Sequence, residues 1–211
     1  IALQYRLGQA RAEIARQLPP APEATVTTLR FAPRQPPGRL GRHEVAAVEL
    51  DAWNPAYAEA ILPPFCPESG LEVLRGKIAD AWKRGCRRFR VTSLYQFQLL
   101  RTLSEAELTA SFSIPVCNNA ALDAMLDLGC RRAMAWVELD KAAIEKLVAD
   151  NPGRIEILAY GRLPLLETRA KVAASGHLRD SRGETFEVIE ENGLTRLYSG
   201  PVLSLDDLPR G

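Results

Sequence analysis

The sequence predicts an α/β fold: a partial, half TIM-like βα barrel with a parallel sheet, followed by a small β-rich C-terminal appendage. Strand-like and helix-like segments alternate between residues 45 and 160, which is typical of βα units. About five or six strands fit there, fewer than the eight of a full barrel of about 250 residues. Beyond residue 185, two alternating segments flank Glu191-Asn192-Gly193, which indicates a β-hairpin.

The elements follow from hydrophobic period and turn residues. We predict a helix over 2–18 and a Pro-rich linker within domain 1–24, then a half-barrel domain over 25–166, then a tail over 167–211. A Pro/Gly/Arg-rich loop is expected at 33–42. Predicted strands cover 25–31, 45–50, 60–62, 88–92, 108–116, 133–139, 154–160, 185–190 and 194–199. Predicted helices cover 68–84, 95–103, a segment after Asn118 or Asn119, and 141–149.

A four-residue pattern occurs twice, as Gly85-Cys86-Arg87-Arg88 and as Gly129-Cys130-Arg131-Arg132. Each copy closes a predicted helix and opens a strand. The glycine suits the left-handed position after a helix, and arginines near a helix C-terminus interact favourably with its dipole. We interpret both copies as structural. We expect their arginines, together with Arg84 and Arg90, at the amino-terminal edge of the sheet, away from a ligand site.

Composition excludes several function classes. The 27 Lys and Arg against 26 Asp and Glu give no uniform field that would attract nucleic acid or an anionic membrane. Apolar stretches are short and interrupted by charge, so we expect no membrane partner, no signal peptide and a cytoplasmic location. With two histidines and no C-x-x-C pair, no metal site is expected. We interpret the four cysteines as reduced, buried, small apolar residues: Cys66, Cys86, Cys117 and Cys130.

Candidate site residues lie where predicted strands end, because parallel α/β folds bind ligands at the carboxyl ends of their strands. Polar residues there also include Glu49, Thr92 and Asn119. A polar or anionic ligand fits such a set. The candidates for catalysis are Asp51, Glu138 and Arg162, and those for substrate binding are Ser93, Asn118, Tyr160 and Arg162.

Each candidate also has a structural alternative. Asn118 or Asn119 is expected to cap a helix, and Asp140 to cap the next one, which leaves Glu138 the less easily explained carboxylate. Ser93 lacks the G-x-S-x-G context of a nucleophile and has no evident histidine base. His43 lies in the loop region and His177 near the tail, so neither is well placed to act as a base.

Seven short runs carry a resemblance to a known family. They are Leu62-Pro63-Pro64, Val91-Thr92-Ser93-Leu94, Ser111-Phe112-Ser113-Ile114-Pro115-Val116-Cys117-Asn118, Val137-Glu138-Leu139, Tyr160-Gly161-Arg162-Leu163-Pro164-Leu165, Leu178-Arg179-Asp180-Ser181-Arg182-Gly183-Glu184-Thr185-Phe186 and Ser199-Gly200-Pro201-Val202-Leu203. In this order they resemble the second, half-barrel segment and tail of larger members of the peptidase U32, or collagenase-like protease, family. The likeness covers roughly residues 60–209, and the Tyr-Gly-Arg-Leu-Pro-Leu run is its most specific part.

The resemblance implies a barrel-like fold and a collagenase-like hydrolase without defined catalytic residues, in which this chain is a substrate-binding half of the barrel. Two alternatives remain open. Several family members resemble iron–sulfur proteins that support hydroxylation of RNA bases or quinone precursors. In the second alternative, the chain is a binding scaffold without catalytic activity of its own.

The cysteines depart from the iron–sulfur pattern. The runs Glu167-Thr168-Arg169-Ala170-Lys171 and Leu194-Thr195-Arg196 stand where the resemblance leads us to expect cysteines. A cluster needs about four converging thiolates, so we predict no cofactor in this chain. The expected partners are an N-terminal part of a parent protein, a second copy paired through a free sheet edge, and a peptide or RNA substrate.

Overall fold

The structure, a computed structural model, describes residues 28–32, 44–162, 164–191 and 193–204. These residues form two compact units, the first ending at Glu156 and the second beginning at Ile157. The predicted helix at 2–18, the linker that completes residues 1–24 and the loop at 33–42 lie outside the described residues.

The first unit is built on a parallel sheet of seven strands that follow one another in chain order. This confirms the predicted α/β class and the parallel sheet. A sheet wound in one direction with right-handed crossovers carries all its helices on one side, and this sheet is curled into a half-barrel. The strands are β1 Thr28–Ala32, β2 Glu44–Glu49, β3 Glu59–Ile61, β4 Arg88–Val91, β5 Glu107–Ala110, β6 Cys130–Met134 and β7 Ile155–Glu156.

Four helices connect the strands, and their ends agree with the predicted signals. Asn118 caps one helix by accepting a hydrogen bond from the Ala121 amide at 2.9 Å, and Asp140 caps the next by accepting one from Ala143 at 2.8 Å. Gly85 and Gly129 have φ angles of 102° and 95°, which confirms the left-handed positions. The helices are α1 Leu71–Lys83, α2 Gln96–Leu100, α3 Asn119–Asp127 and α4 Lys141–Asp150, with 3-10 turns at Leu50–Ala52 and Glu68–Gly70.

The hydrophobic core lies between the sheet and its helices. Alternate strand residues point toward the helices because successive side chains in a strand point to opposite sides. We call this the helix-facing side of the sheet. Its buried strand residues include Ala60, Phe89, Val91, Leu108, Ala110 and Ala133, and they share one cluster with Leu74, Ile78, Leu122 and Met125 of the helices.

Within residues 44–162, three predicted strands differ from the observed ones by more than one residue at an end. The strand predicted at 108–116 covers only Glu107–Ala110, because a turn follows in which the Ile114 amide donates to the Ser111 carbonyl. The strand predicted at 133–139 is shifted to Cys130–Met134, and an isolated bridge between Val116 and Ala135 continues the pairing beyond it. The strand predicted at 154–160 covers only Ile155–Glu156.

The second unit is mainly antiparallel. Its strands are β8 Tyr160–Gly161, β9 Pro164–Thr168, β10 Gly176–Arg179, β11 Thr185–Glu191, β12 Leu194–Ser199 and β13 Leu203–Ser204. Four of them form a sheet in the order β10-β11-β12-β9, and β8 pairs with β13. The predicted hairpin is confirmed, since β11 and β12 pair around Gly193. Among the described residues, no helix has the length and apolar character needed to cross a membrane.

Candidate functional site on the inner side of the sheet

The side of the sheet opposite the helices, which we call the inner side, is polar. Phe89 and Val91 pack toward the helices, so Arg90 between them points inward, and the same alternation places Thr109 and Ser111 there. Sequence reasoning missed this side. The alternation of arginine with apolar residues over 88–91 was a usable signal for it. The inner side is defined by Glu59, Arg90, Thr109, Ser111, Arg132 and Glu156.

Arg90 is the centre of a buried ion cluster. Its side chain is 1% exposed, its Nε donates to Glu59 Oε2 at 2.9 Å, and its Nη2 donates to Glu156 Oε2. Two strands separate β4, which carries Arg90, from β7, which carries Glu156. In a flat sheet those strands would lie about 14 Å apart. The contact therefore fits a sheet curled toward its inner side. It also corrects the expectation that Arg90 lies at the amino-terminal edge.

Burial dominates the electrostatics of Glu59. Its pKa is raised from the ordinary 4.5, mainly because burial disfavours the carboxylate, while Arg90 opposes the shift and Glu156 adds to it. Arg132 and Arg88 also act to lower the pKa, so both guanidinium groups lie in the electrostatic range of Glu59. A carboxyl group with a raised pKa keeps its proton to a higher pH than an exposed carboxyl group does.

The carboxyl-terminal edge of β5 carries a strained turn. The Ile114 amide donates to the Ser111 carbonyl at 3.1 Å, and Ser113 within this turn has a φ angle of 84°. A residue with a side chain pays about 1–2 kcal/mol for such a left-handed angle. Strained backbone of this kind concentrates at functional sites. The turn belongs to the Ser-Phe-Ser-Ile-Pro-Val-Cys-Asn run noted in the sequence.

Two aromatic rings stack at the same edge. Phe112 from the turn after β5 and Trp136 from the end of β6 have ring centroids 5.7 Å apart and planes 14° apart. Both side chains are half-buried. The Trp136 indole N–H donates to Glu138 Oε2 at 3.2 Å, and Glu138 is exposed. Stacked rings beside a carboxylate can take a planar or apolar group of a ligand and accept a hydrogen bond from it.

The Gln96 side chain stabilises the carboxyl-terminal end of β4, next to β5. This side chain is completely buried; its Oε1 accepts from the Thr92 amide at 2.8 Å and from the Ser93 amide at 3.2 Å. Its Nε2 donates to the Pro63 carbonyl at 2.6 Å. Thr92 Oγ1 donates to the Leu62 carbonyl at 3.0 Å. Gln96 therefore links the ends of β3 and β4, and the Ser93 candidate belongs to this structural network.

The other predicted candidates are dispersed. Asp51 is exposed and pairs with Lys77 of α1 at 2.7 Å. It follows β2, whereas Glu138 follows β6, and three strands lie between them. Arg162 pairs with Glu187, and Tyr160 is 73% exposed, both within the second unit. Of the predicted set, the structure brings Glu138 to the aromatic pair, and it uses Asn118 as a helix cap.

The cysteines lie at opposite edges of the sheet. Cys86 and Cys130 are buried near the amino ends of β4 and β6, and burial raises the pKa of their thiols to about 11 and about 12. Cys66 is half-buried and Cys117 is exposed, so the expectation of buried cysteines was wrong for Cys117, which lies in the loop that leads to α3.

This distribution does not fit a four-cysteine iron–sulfur cluster, because Cys66 and Cys117 follow the carboxyl ends of their strands. In the described ranges, no three or more His, Cys, Asp or Glu side chains form a group that could hold a metal ion.

Three arginines of the repeated pattern, Arg87, Arg88 and Arg131, and the preceding Arg84 have structural partners. Arg87 lies over the Trp82 ring, 4.0 Å from its centroid, and Arg84 lies over Trp53 at 5.5 Å. Arg88 and Arg131 both pair with Glu107, at 3.3 and 3.2 Å. These contacts support the structural interpretation of Arg87, Arg88 and Arg131.

Comparisons of this chain with models of protein families, with curated proteins and with solved structures gave no match.

Proposed function

We propose that this chain is the substrate-binding half of a collagenase-like peptidase of the U32 type, and that it binds an extended peptide along the carboxyl-terminal edge of β4, β5 and β6. Under this proposal the sheet is half of a TIM-like barrel, the second unit is its C-terminal β appendage, and an N-terminal part of the parent protein supplies the other half. The cytoplasm is the proposed location. The seven runs noted in the sequence support the family assignment.

One observation carries the binding proposal: the strained turn at Ser113 holds Phe112 against Trp136 at the edge where parallel α/β folds bind ligands. An extended peptide offers apolar and ring-containing side chains to such a surface, and aromatic-lined grooves are common in peptide recognition. Glu138 beside Trp136 supplies an acceptor for a peptide N–H.

Under this proposal, peptide hydrolysis requires the complete barrel, in which the parent protein supplies the other half. Ser93 takes part in the Gln96 network through its backbone amide, and the thiols of Cys86 and Cys130 stay protonated at neutral pH because burial raises their pKa to about 11 and about 12. A protonated, buried thiol is a poor nucleophile. Glu138 is the side chain at the aromatic edge that we propose as a general acid or base.

The test is peptide binding and cleavage with gelatin-derived peptides, using the full chain for binding and the parent protein for turnover. Phe112→Ala and Trp136→Ala should each weaken peptide binding about tenfold, because an aromatic contact contributes roughly 1–1.5 kcal/mol. Leu128→Ala is the matched control, since Leu128 is 47% exposed and follows α3 at the opposite edge.

Glu138→Gln in the parent should reduce kcat with KM nearly unchanged if the carboxylate transfers a proton. Equal binding by the wild type and both aromatic variants would overturn the binding site. Absence of any turnover by the parent would overturn the peptidase assignment and leave a binding scaffold. Stoichiometric iron and acid-labile sulfide in the anaerobically purified parent would instead favour the hydroxylation alternative.

A further inference from the structure

Arg132 of β6 points to the inner side of the sheet. Its strand neighbour Ala133 is completely buried in the core on the helix-facing side, so Arg132 projects the other way. It pairs in register with Thr109 of β5. Its charge reaches Glu59, because it acts to lower the pKa of that carboxyl. Arg132 therefore lies beside the buried cluster of Glu59, Arg90 and Glu156.

The guanidinium of Arg132 has donors but no acceptor. Across the residues that the structure describes, this side chain makes no hydrogen bond and no ion pair, and its Nε is buried without a partner. Within the described residues, the Nε of the adjacent Arg131 is buried without a partner as well, but its Nη1 donates to Glu107 at 3.2 Å, whereas Arg132 has no such bond. An arginine that is half-buried with unused donors loses hydration without compensation, which is costly unless an acceptor is supplied.

A second donor on the same side is also unused. Ser111 is completely buried, and its Oγ has no hydrogen-bond partner in the described part of the chain. Ser111 lies two residues beyond Thr109, the register partner of Arg132, so the two positions are about 7 Å apart along the strand direction. That distance is within the length of an arginine side chain.

Long-range attraction to the ion cluster does not satisfy these groups. Arg90 is shared between Glu59 and Glu156, so the negative charge of the cluster attracts Arg132. This attraction balances charge, but it supplies no oxygen atom to the Arg132 Nε or to the Ser111 hydroxyl. An oxyanion would supply acceptors to both groups, since a guanidinium binds two oxygens of a carboxylate or a phosphate through two parallel hydrogen bonds.

We propose that Arg132 and Ser111 form a binding subsite for an oxyanion, a carboxylate or a phosphate group of a ligand, on the inner side between β5 and β6. Arg132 provides the paired guanidinium donors, and Ser111 provides a hydroxyl donor from the neighbouring strand. The subsite adjoins the aromatic edge, since Ser111 precedes Phe112 in the chain. It does not depend on the peptidase proposal, because it is measured by anion binding rather than by turnover.

The experiment is isothermal titration calorimetry on the full chain at low ionic strength, with inorganic phosphate in one series and acetate in the other. The wild type should show saturable binding of one or both anions. Arg132→Gln should weaken it at least about tenfold, and Ser111→Ala by several fold. Arg132→Lys should be intermediate, because an ammonium group cannot bind two oxygens side by side. Arg75→Gln is the control: Arg75 is an exposed arginine on α1.

Tighter binding of phosphate would identify a phosphate-bearing ligand, and tighter binding of acetate a carboxylate ligand; either outcome supports the subsite. No saturable binding of either anion by the wild type would overturn it. So would equal affinities in the wild type and Arg132→Gln. If Arg132→Gln fails to fold by circular dichroism, unchanged affinity in both Arg132→Lys and Ser111→Ala overturns the proposal.

Discussion

The two sides of strands β4 and β5 bury their residues by different means. On the helix-facing side, Phe89 and Leu108 pack in one apolar cluster with the helices. On the inner side, the adjacent residues Arg90 and Thr109 are buried to a similar degree, at 1% and 5% exposure, yet they are polar. Apolar packing is non-directional and tolerates local adjustment, whereas buried charges require partners in defined positions.

This difference indicates that the inner side of the sheet, and not the helix-facing side, can bind a ligand. The helix-facing side is complete, because its apolar groups need only neighbours. The inner side is satisfied at Arg90 by two carboxylates, but two of its donors, Arg132 Nε and Ser111 Oγ, have no acceptor among the described residues. Incompletely satisfied polar groups in a buried setting need an acceptor such as a ligand or water.

The largest expected effect is at Arg90. Arg90→Met leaves the buried Glu59 and the half-buried Glu156 without their countercharge, so the free energy of unfolding should fall by about 3–5 kcal/mol, measured by urea denaturation. The control Arg75→Met breaks an exposed pair with Glu72 and should change it by less than about 1 kcal/mol. A loss at Arg90 as small as the control would remove the distinction between the two sides.

A triple variant tests the same difference between the inner side and the helix-facing side of the sheet. In Glu59→Leu/Arg90→Met/Glu156→Leu, apolar side chains replace all three charges of the cluster, so no member of the cluster is left without its countercharge. We expect this variant to recover most of the stability lost in Arg90→Met, since apolar replacements of buried ion clusters are often neutral or stabilising. Continued loss would indicate that the cluster determines the curl of the sheet by its specific geometry.

The pH dependence of stability should reflect the protonation of the Glu59 carboxyl group. Its pKa is raised in the folded protein above the ordinary 4.5, chiefly by burial, so the folded state binds the proton more tightly than the unfolded state. The contribution of Glu59 to stability is fully present below pH 4.5 and is lost as pH rises through the folded pKa. The free energy of unfolding of the wild type minus that of Glu59→Gln should therefore fall with rising pH.

The slope of that difference is limited to about 1.4 kcal/mol per pH unit for a single proton. Urea denaturation of both proteins from pH 4 to pH 8 measures it, and titrating groups that do not interact with Glu59 cancel in the subtraction. A difference that rises with pH would mean that Arg90 outweighs burial, and that the inner side is better satisfied than the structure indicates.

A smaller effect is expected at Asn118, at the carboxyl-terminal edge beyond β5. Asn118→Ala removes the cap on the Ala121 amide and should lower the free energy of unfolding by about 1 kcal/mol. Affinity for gelatin-derived peptides should not change, since the side chain is used by the helix. A tenfold loss of peptide affinity with unchanged stability would restore Asn118 as a substrate-binding residue.

The smallest effect is expected at Ser113. Ser113→Gly relieves a φ angle of 84° and should raise the free energy of unfolding by about 0.5–1 kcal/mol, after the entropic cost of glycine. Ser104→Gly, in an exposed turn, is the control and should lower it slightly. If Ser113→Gly also weakens peptide binding, the strain serves to hold Phe112 against Trp136.

The fold class followed from the sequence because its signals are local. The alternation of strand and helix periods, the glycines after α1 and α3, the caps at Asn118 and Asp140, and the hairpin around Gly193 each depend on neighbouring residues. The ends of β5 and β6 were less predictable. A turn with a left-handed serine interrupts the apolar pattern after Ala110, and propensity gives little sign of it.

The candidate site depended on contacts that local signals do not encode. Sequence position placed Arg90 near a helix end, but the curl of the sheet brings it to Glu59, 31 residues away, and to Glu156, 66 residues away. The same curl brings Arg132 into the electrostatic range of Glu59. The sequence by itself determined which residues alternate within each strand, because the two-residue period is local. Only the tertiary structure decided which inner side chains meet and which donors remain unpaired, because those depend on how separate strands are brought together.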